Sequence, residues 1–107
     1  MDEAHYRLLK LLEVKPDLSQ RELSRELGVS LGKINYCLAA LIEKGWVKAR
    51  NFRNNRDKLS YSYLLTPSGI EEKAALTVNF LRRKMVEYDA LKQEIEELKR
   101  EVEGHPS

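Results

Sequence analysis

Two helix-start signals, with one helix-ending glycine between them, constrain the fold of this sequence more than any other feature. Ser19 and Glu22 in the segment "SQRE" form a capping box, in which each side chain satisfies a free backbone amide at the start of a helix. Gly28 suits the left-handed conformation that ends such a helix, and Ser30 can cap a following one. The segment "LGVSLG" is therefore predicted to be a tight turn between two helices.

The same stretch superficially resembles a loop of glycines and lysine that binds phosphates. Such a loop needs four residues between its glycines and a Ser or Thr after its lysine. Here three residues separate Gly28 from Gly32, and Ile34 follows Lys33. No long strand precedes the stretch either, because residues 19–27 are helix-like. A nucleotide site is therefore not expected.

Apolar residues at helical spacing predict one helix over residues 2–14 and extend the helix after Ser30 as far as Gly45. Pro16 and Asp17 end the first of these helices. The residues expected to face a common core are Ala4, Leu8, Leu9, Leu11, Leu12, Leu23, Leu27, Ile34, Leu38, Leu41 and Ile42, with Cys37 as a small buried neighbour.

The pattern then changes from helix to strand. The segments "WVKARNF" and "SYSYLLT" are rich in β-branched and aromatic residues and predict two strands. The polar segment "RNNRDKL" between them carries an Asn pair typical of a turn. Trp46 is expected to begin the first strand and plug the core, and Tyr61 and Tyr63 to pack from one face of the second.

A last helix opens at Thr66-Pro67 and meets no helix breaker before Gly104. A small core cannot cover a helix of this length, so it is expected to project. The predicted fold class is α+β, mostly α: a winged helix-turn-helix of three helices and a β-hairpin wing, followed by a long C-terminal helix that forms a coiled coil. Residues 1–66 are the predicted DNA-binding domain, and residues 67–107 the dimerisation helix with a short disordered tail.

Length and composition exclude several classes of protein. A chain of 107 residues is one ordinary domain with an appendage. Without an apolar stretch near ~18 residues or a signal-like N-terminus, a cytoplasmic location is expected. One cysteine excludes an intrachain disulfide, and His5 and His105 lack companions for a metal site. No paired carboxylates or nucleophile–base set appears, so neither a cofactor nor an enzyme activity is expected.

The helix after the tight turn is the candidate for reading DNA, because a helix held outward in this way fits the major groove. Its face opposite the apolar stripe carries Gly32, Lys33, Asn35 and Tyr36. Lys33 can contact guanine acceptors or phosphate, and Asn35 can bind adenine with two hydrogen bonds. Gly32 allows the backbone to approach closely, and Ser30 with the helix N-terminus suits a phosphate.

Basic residues concentrate between Trp46 and Pro67, where Asp57 is the one acid. At the hairpin tip, Arg53 and Arg56 are suited to a narrow minor groove, where negative potential is enhanced. The other bases are better placed for phosphates, although ordinary solvated strand charges remain the alternative. The predicted wing contacts are Lys48, Arg50, Arg53, Asn54, Asn55, Arg56 and Lys58.

The last helix carries apolar residues at four-three spacing, with a three-residue step between Tyr88 and Leu91 that locally overwinds a coiled coil. Beyond that step, leucines take the d positions and branched residues the a positions, which is the preference of parallel two-stranded pairs. A parallel homodimer is predicted, the alternative being a helix folded back on its own domain. The predicted interface is Val78, Leu81, Met85, Tyr88, Leu91, Ile95, Leu98 and Val102.

The order "SQRELSRELGVSLGKINYCLAALIEKGWVKAR", a basic turn and "YSYLLTPSG" resembles the winged-helix core of MarR-type transcriptional regulators. The similarity is closer to the small MarR-family regulators associated with exopolysaccharide gene clusters, through "LGVSLGKINYCL", "EKGWVKARNF", "YLLTPSGIEEKA" and "FLRRKMVEY". It runs from about residue 6 to residue 101. The resemblance implies a regulator of polysaccharide biosynthesis genes, with Lys33, Asn35 and Tyr36 at the base-reading positions.

Two features depart from the broad MarR pattern. Those regulators usually carry an Asp-x-Arg in the wing, whereas Asp57 is followed two residues later by Leu59. The minor-groove role would then pass to Arg53 or Arg56. The N-terminal extension that helps broad-family members build a dimer and a phenolic-ligand pocket is missing, which argues against a small-molecule effector.

The predicted function is a sequence-specific regulator that binds double-stranded DNA as a homodimer. The alternative is a winged-helix module for protein–protein interaction with the coiled coil as its scaffold. The basic hairpin and the polar recognition face favour DNA, because a protein-binding face should expose apolar anchors.

Overall fold

The computed structural model describes residues 2–53 and 59–104, and it describes no side chains at positions 51–53, 59 and 60. Its elements follow in the order α1, α2, α3, β1, β2 and α4. Their bounds are Glu3–Val14, Gln20–Leu27 and Leu31–Glu43 for the first three helices, Val47–Arg53 and Leu59–Leu65 for the strands, and Pro67–Gly104 for the last helix. The predicted arrangement is confirmed: the described chain is mostly helical, with one two-stranded hairpin and a long C-terminal helix. The pairing of that helix in a coiled coil stays a prediction.

The local signals at the α2–α3 turn are confirmed atom by atom. The backbone amide of Glu22 donates to Ser19 Oγ at 3.2 Å, and the amide of Ser19 donates to Glu22 Oε1 at 3.2 Å. Gly28 ends α2 with a φ of 66°, a left-handed conformation that glycine adopts without steric cost. Ser30 Oγ then accepts from the amide of Lys33 at 3.1 Å and starts α3.

The core lies where α1, α2 and α3 meet the base of the hairpin. Most of the predicted core residues are confirmed, including Leu9 and Cys37. The buried apolar residues are Leu8, Leu9, Leu12, Leu23, Ile34, Cys37, Leu38, Leu41, Val47 and Tyr63. Ala4, Leu11, Leu27, Trp46 and Leu76 are partly buried against them.

Three expectations about this core need correction. Ile42 is 39% exposed and Tyr61 is 49% exposed, because both line an open groove between α3 and the hairpin. Tyr61 stacks on Tyr63, with ring centroids 6.4 Å apart, and only Tyr63 reaches the core. Trp46 precedes β1 and is only partly buried, so Val47 is the residue that seals the core at the start of the strand.

The hairpin is antiparallel, and its register runs from Val47 opposite Leu65 to Arg53 opposite Leu59. It is tied to the α1–α2 connection by the amide of Tyr63, which donates to the carbonyl of Pro16 at 3.1 Å. Ser62 Oγ donates to Asp17 Oδ1 at 2.8 Å. These bonds fix the base of the hairpin against the helical part.

The start of α4 packs closely on the loop before β1. Thr66 Oγ1 donates to the carbonyl of Gly45 at 2.6 Å and accepts from the amide of Gly69 at 3.0 Å. The amide of Thr66 donates to the carbonyl of Trp46 at 3.0 Å. Gly69 is buried at this contact.

The chain divides into two compact units, Met1–Leu76 and Thr77–Ser107. The first unit therefore includes the opening turns of α4, whose Leu76 packs against the core. The boundary predicted after residue 66 follows the secondary structure, and as a division between DNA binding and dimerisation it stays a prediction. The predicted disordered tail, residues 105–107, lies outside the described residues.

Candidate DNA-binding surface

Helix α3 is held by its apolar face and leaves the other face open. Ile34, Cys37, Leu38 and Leu41 are buried, whereas Ser30, Gly32, Asn35 and Tyr36 are exposed and Lys33 is half-buried. Tyr36 is the most exposed of the large apolar side chains on this helix, at 67%. The structure thus brings the predicted recognition residues together at the start and on the first two turns of α3. We call these five residues, Ser30, Gly32, Lys33, Asn35 and Tyr36, the recognition face.

Asn35 is positioned by a residue that the sequence did not single out. Its Nδ2 donates to Gln20 Oε1 at 3.4 Å, and Gln20 Nε2 donates to the hydroxyl of Tyr63 at 3.1 Å. This chain of hydrogen bonds runs from the recognition face through the start of α2 to the hairpin. Gln20 carries no sequence signal of its own, because its partners lie 15 and 43 positions away.

Lys33 is likewise held by an N-terminal residue that sequence reasoning missed. Its Nζ lies 3.3 Å from Asp2 Oδ2 and 5.8 Å from the centroid of the Tyr36 ring. The hydrogen bond and charge of Asp2 raise the pKa of the Lys33 ammonium. The backbone and side-chain hydrogen bonds of His5, with a smaller contribution from Lys33, hold the pKa of the Asp2 carboxyl well below its usual range.

The wing residues fall into three groups. Lys48 and Arg50 are exposed and lie two positions apart on β1, so their side chains leave the same face of the strand. Arg53 ends β1 opposite Leu59, and its side chain is not described. The remaining predicted contacts, Asn54, Asn55, Arg56 and Lys58, lie outside the described residues.

The predicted dimer residues all lie on α4 in the second unit, Thr77–Ser107. In the single chain their exposed fractions run from 44% for Ile95 to 73% for Val102. An apolar stripe this exposed is unusual for a lone helix in water. The eight residues are Val78, Leu81, Met85, Tyr88, Leu91, Ile95, Leu98 and Val102.

Within residues 2–53 and 59–104, no group of three or more His, Cys, Asp and Glu could hold a metal ion. None of the helices in those ranges is long and apolar enough to span a lipid bilayer.

Comparison with known proteins agrees with this architecture. Residues 1–48 match a protein-family model described as winged helix-turn-helix DNA-binding. The chain carries a winged helix-turn-helix. No curated protein matches its sequence significantly. The matched winged helix-turn-helix model describes a DNA-binding domain rather than an enzyme, as the sequence led us to expect.

Solved structures with the same fold include several regulators of low sequence identity. The PcaV transcriptional regulator from Streptomyces coelicolor, solved with its natural ligand, is 20% identical over 100% of this chain and 77% of its own, with a TM-score of 0.71. A MarR protein from Peptoclostridium difficile is 17% identical over 96% of this chain and 71% of its own, with a TM-score of 0.68. FabT from Streptococcus pneumoniae, solved in complex with DNA, is 20% identical over 97% of this chain and 77% of its own, with a TM-score of 0.57. These likenesses show that the chain shares the fold of these regulators, one of which is a MarR protein.

Proposed function

We propose that this protein is a sequence-specific transcription regulator that binds double-stranded DNA in the cytoplasm as a homodimer. The observation that carries the proposal is the recognition face: a helix fixed by a buried apolar stripe presents Lys33, Asn35 and Tyr36 together on its first two turns. Such a helix enters the major groove with its N-terminal residues against base edges. The exposed Lys48 and Arg50 of β1 add contacts to phosphates.

Within the recognition face, the three side chains have different roles. Asn35 pairs with adenine through its amide, and its hydrogen bond to Gln20 limits the orientations of that amide before DNA is bound. Lys33 contacts guanine acceptors. Tyr36, which is 67% exposed, packs against a base or the sugar–phosphate backbone.

The experiment is a competition between an operator and scrambled DNA, after footprinting upstream of the protein's own gene has found that operator. Asn35→Ala and Tyr36→Ala are expected to lower operator affinity by about 1–3 kcal/mol each while changing scrambled-DNA affinity little. Glu43→Ala is the matched control, because Glu43 is exposed on the same helix at the end remote from the recognition face. Equal losses on both DNAs would show that neither residue reads bases.

The target genes that we propose are those of exopolysaccharide biosynthesis. The support is the resemblance of "LGVSLGKINYCL" and "YLLTPSGIEEKA" to small regulators associated with such clusters. Footprints upstream of an exopolysaccharide cluster in the same genome are expected. Protection confined to unrelated promoters would overturn this assignment and leave DNA binding intact.

The homodimer that we propose is a parallel coiled coil of the helix from Val78 onward. Its support is the exposed stripe, which a second copy would cover. Charge complementarity supports the orientation: Glu94 and Glu101 take heptad g positions, and Lys92 and Lys99 take e positions. In a parallel pair Glu94 meets Lys99 of the second copy, whereas an antiparallel pair sets like charges together.

Cysteine cross-linking tests this arrangement in a Cys37→Ser background. Leu98→Cys at a d position is expected to cross-link readily across a parallel seam, because the two copies of a d residue face each other. Arg100→Cys is the control, because an f position faces away from the partner helix. A monomer at micromolar concentration, or a dimer that cross-links no better through Leu98→Cys than through Arg100→Cys, would contradict the parallel coiled coil.

A protein-interaction module is the second candidate, and three exposed apolar side chains on α3 favour it: Leu31, Tyr36 and Ile42. The salt dependence of binding separates the two functions. A DNA-binding protein releases counterions from phosphates, so its affinity falls steeply as salt rises. A complex built on these apolar side chains would keep its affinity.

A further inference from the structure

Asp2 connects the start of α1 with the recognition helix. One carboxylate oxygen, Oδ1, accepts from the backbone amide of His5 at 3.1 Å and lies 2.6 Å from His5 Nδ1. The other oxygen, Oδ2, lies 3.3 Å from Lys33 Nζ. His5 is buried, so the first set of bonds anchors the carboxylate to the body of the domain. The second presents its charge to Lys33.

This arrangement restricts where the Lys33 ammonium can go. Lys33 Nζ also lies over the Tyr36 ring, and that ring meets the His5 ring edge-on at 6.4 Å between centroids. A free lysine on a surface helix samples many rotamers and reaches phosphates as easily as bases. Here the carboxylate and the ring hold the ammonium on the recognition face.

The geometry points to Asp2 as a positioning residue that sets the DNA specificity of this protein through Lys33, an inference that rests on the proposed function. Asp2 keeps Lys33 directed at base edges, which carry sequence information, and away from phosphates, which carry none.

The size of the effect follows from the exposure of the pair. Both side chains are partly exposed to solvent, and ion pairs of this kind are weak. Releasing Lys33 is therefore expected to raise affinity for scrambled DNA by about two- to fivefold. A lysine that becomes free to neutralise one more phosphate steepens the slope of log affinity against log salt by about 0.9.

The test is Asp2→Asn, measured on operator and scrambled DNA over a salt series. Asparagine caps a helix about as well as aspartate, so the bond from the His5 amide is kept while the charge that holds Lys33 is lost. We expect tighter binding to scrambled DNA and a smaller ratio of operator to scrambled affinity. Because the charge of Asp2 contributes to stability at neutral pH, we also expect a small decrease in melting temperature. Glu13→Gln is the matched control. Glu13 pairs with Lys73 at 3.2 Å in the last turn of α1, so this variant also removes one negative charge and one ion pair from α1 but leaves the Asp2–Lys33 pair intact.

A double-mutant cycle shows whether Asp2 acts through Lys33. In a Lys33→Ala background, Asp2→Asn is expected to have no further effect on the affinity ratio or the salt slope. An effect that persists there, an equal change on both DNAs, or the same change from Glu13→Gln would overturn the role of Asp2 and leave the proposed function standing. Failure of the unmodified protein to bind any DNA would instead overturn both.

Discussion

Gly69 is the position where a one-methyl change is expected to damage this fold most. It lies in the first turn of α4, where an added Cβ would stand 2.0 Å from the carbonyl oxygen of Trp46 and 2.9 Å from its carbonyl carbon. The obstructing atoms belong to the backbone of Trp46, so no change of side-chain rotamer can relieve the clash. Gly69→Ala must therefore push the start of α4 away from the loop that precedes β1.

The magnitude follows from three contributions. Overpacking costs about 1–3 kcal/mol, and the upper end applies to a backbone obstacle. Displacement of the Trp46 carbonyl also breaks its 3.0 Å bond from the amide of Thr66, which contributes about 1 kcal/mol. Alanine in a helix regains about 1 kcal/mol over glycine. The net loss in the free energy of unfolding is about 3 kcal/mol, which lowers Tm by on the order of 10–20 °C.

Gly32→Ala is the control with the opposite sign. The added Cβ would meet nothing nearer than Ser30 Oγ at 4.0 Å, so only the helix propensity changes and stability should rise by about 0.5–1 kcal/mol. Urea unfolding followed by circular dichroism at one fixed protein concentration measures both variants. If Gly69→Ala proves as stable as the unmodified protein, the close contact with Trp46 does not govern the seating of α4.

Three further predictions concern the wing, an acidic cap and the cysteine. The double variant Arg53→Ala with Arg56→Ala should weaken binding to all DNA sequences and flatten the salt slope; an unchanged affinity would remove the wing tip from the interface. The pKa of Asp2 is lowered in the folded state, so its contribution to stability is present above the unfolded value and is lost as pH falls below about 4. Asp2→Asn should therefore lose less stability between pH 5 and pH 3 than the unmodified protein does. Burial raises the pKa of the Cys37 thiol, so a thiol reagent should label it at neutral pH only after urea unfolding, and rapid labelling of the native protein would contradict its buried position.

Much of this fold is determined locally and could be predicted from sequence. The capping box of Ser19 and the Ser30 cap each join residues three positions apart. Gly28 ends α2 because glycine itself adopts the left-handed conformation readily. Apolar periodicity likewise predicted the buried side of α3, and with it the exposed side that carries the recognition face. Such features depend on spacing along a single helix or turn, which the order of residues specifies directly.

The contacts that aim the recognition face were decided only by tertiary packing. Asp2 reaches Lys33 across 31 positions and Gln20 reaches Asn35 across 15, because α1 and α2 pack against α3 at distances and angles that no local pattern encodes. Tertiary packing also decided the position of Ile42. Its helical spacing predicts a place in the core, but in the structure its side chain lines an open groove. Sequence determined which side chains leave α3 on its polar side. Only the packing of the elements determined what holds them there, because a hydrogen bond between distant residues forms only when the fold has brought its donor and acceptor together.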